Sequence, residues 1–322
     1  MRLFSTALLV SIFVLSGCAG NQTYVKRLDS YGDSLSQTAK LVADASENIN
    51  QKQQSLNEST LVNGLLTKQS FTEKPVTSTI SSDALKGIKA YTKMMESLGK
   101  SLSSLNDSKD KLDEELLELA EGLDGLNDED VQALLDDNSF TLDEKAIKQG
   151  VTGLRVLGHW YIDRKVAREM PEKLTEYEAS VDQTFSALLD INRGLKNKSH
   201  VVYQEAINKY QGMINYYIRP QQSGESAKPV VASHAELEAL ASQWQQLRLE
   251  QKQARKNFAK VDKQINTLRN QYKLLTREEV PACDSKAGQD LNSQELCYDP
   301  KVLTRLKIEG KEIKTFYDKV LK

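Results

Sequence analysis

Along residues 237 to 275 apolar side chains return at alternating intervals of three and four: Leu237, Leu240, Trp244, Leu247, Gln251, Ala254, Phe258, Val261, Ile265, Leu268, Tyr272 and Leu275. A repeat of about 3.5 falls just short of the roughly 3.6 residues in a helical turn, so such a seam stays buried only if helices wind around one another. Ser233 and Glu236 have the spacing of a capping box, and Pro281 closes the segment. A helix over 233–279 is predicted, about 70 Å long at about 1.5 Å per residue.

A second seam reads Ile88, Tyr91, Met95, Leu98, Leu102, Leu105, Lys109, Leu112, Leu116, Leu119, Leu123 and Leu126, which predicts another helix of matching span. A third, with small and polar members, runs through Tyr24, Leu28, Tyr31, Leu35, Thr38, Val42, Ala45 and Ile49; looser packing is expected there. Thr141 with Glu144 suggests a capping box opening a helix over 141–170, and Pro171 opens one over 171–197. Further helices are expected over 199–218 and from Asp299-Pro300 through Val302, Leu306, Ile313, Phe316 and Val320. Seven helices result, with linkers at 60–81, 127–140, 219–232 and 281–299. The 322 residues include only 6 Pro and 16 Gly, with 7% aromatic side chains, too few turn signals for a many-stranded sheet protein. The expected fold is therefore all-α: an elongated antiparallel bundle with long coiled-coil-like helices.

The start of the chain has a different character. Arg2 precedes a mainly apolar stretch from Leu3 to Leu15 that is too short for a permanent transmembrane helix, and small residues follow. Leu15-Ser16-Gly17-Cys18 resembles the lipobox of bacterial lipoproteins. The resemblance covers those four positions and the apolar run. It implies a signal peptide over 1–17, a mature chain beginning at an acylated Cys18, and attachment to a membrane through several fatty chains such as palmitate. Ala19, where an Asp would mark retention in the inner membrane, implies an outer-membrane location.

Export bears on the remaining cysteines. The bacterial envelope is oxidising, and Cys283 and Cys297, with thirteen residues between them, can pair. A loop of that size contributes roughly 3 kcal/mol in the chain-entropy account. A metal site at the two thiols is the competing reading, weakened because the last histidine of the chain is His234. The expected organisation is an anchored helix over 18–60, a bundle core over 82–279, and a disulfide loop with a C-terminal helix over 280–322.

Charge is distributed unevenly. Residues 107–144 hold 15 acidic and 2 basic side chains, whereas residues 246–277 hold 9 basic and 2 acidic ones. Opposite charge beside apolar seams selects partners, so these two segments are expected to lie side by side.

Little in the sequence points to catalysis. An EF-hand loop starting at Asp136 would need Gly and Glu where Thr141 and Ile147 stand. Glu114, Glu115, Glu118 and Glu121 read as a solvated helical face beside leucines. His159, His200 and His234 lack a metal-ligating neighbour at helical spacing, and no nucleophile elbow or phosphate loop occurs. No cofactor or metal is expected, and no enzymatic activity.

Two stretches suggest contact surfaces. Gly150 to Ile162 is the most apolar part of the mature chain. Its glycines allow close helix approach, and the alternative is a membrane-inserting segment of the kind that helical pore-forming toxins hide. Tyr203, Tyr210 and Tyr217 share one stripe with Ala206 and Met213: either an amphipathic seam or a partner surface. The expected function is that of a lipid-anchored envelope scaffold meeting an unknown envelope protein, with homo-oligomerisation open and nucleic acid excluded by export and near-neutral charge. Membrane perturbation through 150–162, regulation of an envelope enzyme, and carriage of an apolar ligand are the alternatives.

Overall fold

The computed structural model describes residues 4–66, 80–104, 109–125, 128–136, 142–163, 174–218, 233–276 and 300–320; within the first helix, side chains are described over 24–57. Eight helices, a helical turn at 174–176 and no strand occur among these residues: α1 (Phe4–Leu66), α2 (Ser82–Ser103), α3 (Lys109–Gly125), α4 (Asp128–Asp136), α5 (Glu144–Asp163), α6 (Glu178–Ile218), α7 (His234–Leu275) and α8 (Pro300–Val320). The fold is all-α. One hydrophobic core takes side chains from all eight.

The seam behind Cys18 forms the centre of this core. Tyr24, Leu28, Tyr31, Leu35, Thr38, Val42, Ala45 and Ile49 are all buried, so the looser packing expected for this helix is corrected. Its polar members do not loosen it, because their hydroxyls bond within the helix: Ser34 Oγ donates to Ser30 O at 2.8 Å, Thr38 Oγ1 to Ser34 O at 2.8 Å, and Ser46 Oγ to Ala43 O at 2.7 Å. Small residues also let the backbones meet. A Cβ on Gly32 would stand 2.3 Å from Gly99 O, and one on Gly99 would stand 2.6 Å from Gly32 O.

Neighbouring helices mostly alternate in direction. Lys89 pairs with Glu47 at 2.6 Å, which together with the Gly32–Gly99 crossing sets α2 antiparallel to α1. Along α7, the Tyr24 hydroxyl donates to Leu275 O at 2.9 Å and Lys52 pairs with Glu250 at 2.9 Å, so α7 also runs antiparallel to α1. The guanidinium of Arg269 joins Asp182, and Asn192 Nδ2 donates to Asp262 Oδ1 at 2.8 Å, which fixes the antiparallel register of α6 and α7. In contrast, α8 runs parallel to α1: Lys307 pairs with Asp33 at 2.6 Å and Asn48 reaches Tyr317 O at 3.5 Å.

Several predicted boundaries move. The second seam is two helices rather than one, since α2 ends at Ser103 and Ser104 caps it by donating to Lys100 O. The chain then returns on itself, with Ser101 Oγ donating to Glu115 O at 3.1 Å. Uninterrupted apolar spacing cannot distinguish a helix from a hairpin whose two arms face the same groove. The expected linker over 127–140 contains α4, packed so closely on α2 that a Cβ on Gly87 would stand 2.5 Å from Asp130 O. The expected break near residue 198 is absent, and α6 is continuous. The Thr141–Glu144 box is replaced by Asp143, whose Oδ1 accepts from Lys145 N at 3.0 Å and Ala146 N at 3.2 Å; Thr141 lies outside the described residues.

The expected pairing of acidic and basic segments is also corrected. Among the described residues, α3 and α4 pack on α2 and α5, whereas α7 packs on α6, α1 and α8. The acidic segment is balanced locally, by Lys100 to Glu118 at 3.1 Å and Arg155 to Asp128 at 2.9 Å. Three cations of α7 find carboxylates on α6 and α8: Arg269 joins Asp182, Lys273 pairs with Glu178 at 3.7 Å and Lys260 with Glu312 at 3.2 Å.

Candidate functional site

Two ends of the bundle bear on function. At one end α1 continues back through Cys18, and Tyr24 and Arg27 tie it to the last turn of α7: Arg27 Nη1 donates to Leu274 O at 3.2 Å beside the Tyr24 bond to Leu275. The Cys18 side chain, Cys283 and Cys297 lie outside what is described, as do the side chains of Tyr217 and His159.

At the other end a smaller hydrophobic cluster joins Leu56 of α1, Tyr203, Ala206 and Ile207 of α6, and Leu247 and Ala254 of α7, with Tyr210, Trp244 and Phe316 at its margin. The sequence builds it from two signals. Ser233 and Glu236 form the expected capping box, with Ser233 N donating to Glu236 Oε2 at 2.6 Å and holding that carboxyl below the usual range. That cap launches α7 alongside the end of α6, where Tyr203 and Tyr210 lie on the face that meets it.

Charge is built into this cluster. The Lys52 ammonium, paired with Glu250, lies 5.7 Å from the centre of the Tyr203 ring. Lys209 Nζ donates to Leu56 O at 3.1 Å, and burial pushes its ammonium down to about 8. Arg248 covers the Trp244 ring at 4.8 Å, and the Tyr210 hydroxyl donates to Gln243 Oε1 at 3.1 Å. Sequence reasoning missed the Lys52–Glu250–Tyr203 grouping: its members come from three helices, and no spacing signal links them.

Of the candidate partner surface on the tyrosine stripe, Tyr203 and Tyr210 can be placed, and the side chain of Tyr217 lies outside what is described. Tyr203 is 2% exposed and belongs to the interior, while Tyr210 is half-buried. The amphipathic-seam reading is the one that fits Tyr203. The Tyr203 hydroxyl has no hydrogen-bond partner among the described residues, and burial raises its pKa. Tyr203→Phe is therefore expected to leave the unfolding free energy unchanged or raise it by up to about 1 kcal/mol, because only desolvation is relieved. Tyr24→Phe, which removes the bond to Leu275, is expected to lower stability by about 1 kcal/mol. Calorimetry of the two variants side by side checks this, and equal losses would place a bonded water on Tyr203.

The remaining candidates have structural roles where they are described. Val151, Leu154 and Leu157 are buried, and Gly150 and Gly153 bring α5 onto α6, where added Cβ atoms would stand 2.3 Å from Ala187 Cβ and 2.4 Å from Ser180 O. On α3, Glu114 and Glu121 are exposed and Glu118 pairs with Lys100; Glu115 is half-buried, and burial raises its carboxyl. His200 stands 3.4 Å from Gln251, and His234 is exposed at the start of α7. Among the described residues no group of three or more His, Cys, Asp or Glu could hold a metal, and no helix is long and apolar enough to cross a membrane.

A cavity of about 30 Å³ lies between α1, α2, α5, α6 and α7, lined by Tyr31, Leu98, Leu102, Val181, Phe185 and Tyr272 among others. Such a volume holds about two waters, which this apolar lining would not bind, and it is far below what an acyl chain needs.

No family model matches the chain, and neither a curated protein nor a solved structure matches it.

Proposed function

We propose that the chain is a lipid-anchored protein of the bacterial envelope, an elongated helical scaffold that acts by holding surfaces in place near a membrane. The observation that carries this reading is the placement of Leu15-Ser16-Gly17-Cys18 directly after the apolar run and six residues before Tyr24 of the core. Acyl chains at Cys18 would confine the protein to two dimensions, each buried methylene contributing about 0.8 kcal/mol, and so raise its effective concentration toward membrane neighbours.

The scaffold role draws support from the packing. The three- and four-residue seams are spent on helix–helix contact, and two buried amides, Asn192 and Gln264, bond backbone carbonyls of adjacent helices: Phe258 O at 3.2 Å and Leu306 O at 3.3 Å. The apolar stretch over 150–162 would have to leave its place against α6 to enter lipid, which favours the scaffold reading over membrane perturbation.

Metabolic labelling with a clickable palmitate tests the anchor. The full precursor is expected to take up label and Cys18→Ser to fall to background; equal labelling of the two would end this reading. In-cell crosslinking of the anchored protein, with identification of reproducibly captured neighbours, tests the scaffold role.

A further inference from the structure

We infer that the mature protein stands on its membrane without a tether, with α1 serving both as the stem that leaves the anchor and as the central strut of the bundle. This rests on the proposed acylation of Cys18. A protein hung from a flexible leader samples many heights and tilts. Here only five residues separate Cys18 from Tyr24, six steps along the chain, and Tyr24 is buried.

That interval sets how far the bundle can stand off. As the helix observed through Cys18, it spans about 9 Å at about 1.5 Å per residue; even drawn out fully, it cannot exceed about 21 Å. Nor can the bundle swing freely at Tyr24. The Tyr24 ring is covered, its hydroxyl holds Leu275 O, the Arg27 guanidinium lies 5.1 Å from the ring, and Arg27 also holds Leu274 O. The last turn of α7 is thereby fastened to the first packed turn of α1, and the face formed by these two helix ends abuts the lipid headgroups.

The same continuity carries the opposite end outward. From Cys18, Lys26 lies about 12 Å along α1 and Gln54 about 54 Å, at about 1.5 Å per residue. The cluster of Leu56, Tyr203 and Leu247 is therefore held far from the anchoring membrane, at a height that α1 fixes, while the Tyr24–Leu275 end stays against it.

The test uses the acylated, full-length mature protein in bilayer nanodiscs carrying acceptor dyes on the headgroups. A donor is placed at Lys26 or at Gln54, both exposed, through an incorporated azide-bearing residue. Several-fold more energy transfer is expected from Lys26 than from Gln54. A twenty-residue Gly/Ser insertion between Gln22 and Thr23, whose ends lie about 25 Å apart on average, is expected to remove most of that contrast while leaving the thermal melt unchanged. Equal transfer from the two sites in the uninserted protein would overturn the upright stance even though the protein is anchored. Absence of an acylated Cys18 peptide in mass spectra, with no flotation on vesicles, would overturn the anchor and the stance together.

Discussion

Gly32→Ala is expected to lower the unfolding free energy by about 2 to 3 kcal/mol, although alanine is the better helix former by about 1 kcal/mol. At this position α1 and α2 cross with backbone on backbone. The new Cβ would meet Gly99 O at 2.3 Å, Ser103 N at 2.7 Å and Leu102 Cβ at 2.9 Å. No side chain can rotate out of the way of two main-chain atoms, so a helix must move. That movement would propagate, because Tyr31, Leu35, Met95 and Leu98, on the two helices that cross here, are buried in the core. Gly212→Ala supplies the control: nothing lies within 4 Å of its Cβ, and it is exposed, so it is expected to stabilise by up to about 1 kcal/mol through helix propensity alone. Urea unfolding followed by far-UV circular dichroism measures both. Two glycines that respond with the same sign would mean that the α1–α2 crossing does not lie at Gly32 and Gly99.

The all-α class was legible because it depends on spacing alone, and the Ser233–Glu236 cap because it depends on adjacent residues. What spacing could not show was where one seam is divided between two helices. Leu102 and Leu116 fall in one register whether the chain runs straight or turns back, and only the Lys100–Glu118 and Ser101–Glu115 contacts reveal the hairpin. The weight given to α1 erred for a related reason. Thr38 and Ala45 dilute a hydrophobic stripe, yet small side chains admit close neighbours, and hydroxyls that bond to their own helix cost little when buried.

The candidate sites divide along similar lines. The Cys18 motif is local and could be read directly. The tyrosine stripe was legible as a stripe, but that Tyr203 is covered depends on Leu56 of α1 and Leu247 and Ala254 of α7, which residues near Tyr203 do not encode. Charge misled most. Net balance over 107–144 and 246–277 suggested attraction between the segments, whereas the cations that form pairs do so over a few ångströms with whatever carboxylate the apolar packing brings near, and such pairs contribute too little to choose the topology.

Phe258→Ala and Leu237→Ala, made at two positions of the same seam, are expected to differ sharply. Phe258 is 1% exposed among core residues of α6 and α7, and its removal is expected to cost about 3 to 5 kcal/mol. Its carbonyl also accepts from Asn192, so relaxation around the cavity would strain a bond that fixes the register of these helices. Leu237 has the same place in the repeat but lies in the first turns of α7, where Leu237, Leu240 and Trp244 are all only half-buried. Its truncation removes partly wetted methyl groups and is expected to cost less than about 1 kcal/mol. Denaturant midpoints of the purified protein separate the two. Comparable losses would mean that the start of α7 is covered in solution to the same depth as its middle. The partner available in a pure sample is a second copy of the chain, so sedimentation would then report a dimer that Leu237→Ala dissociates.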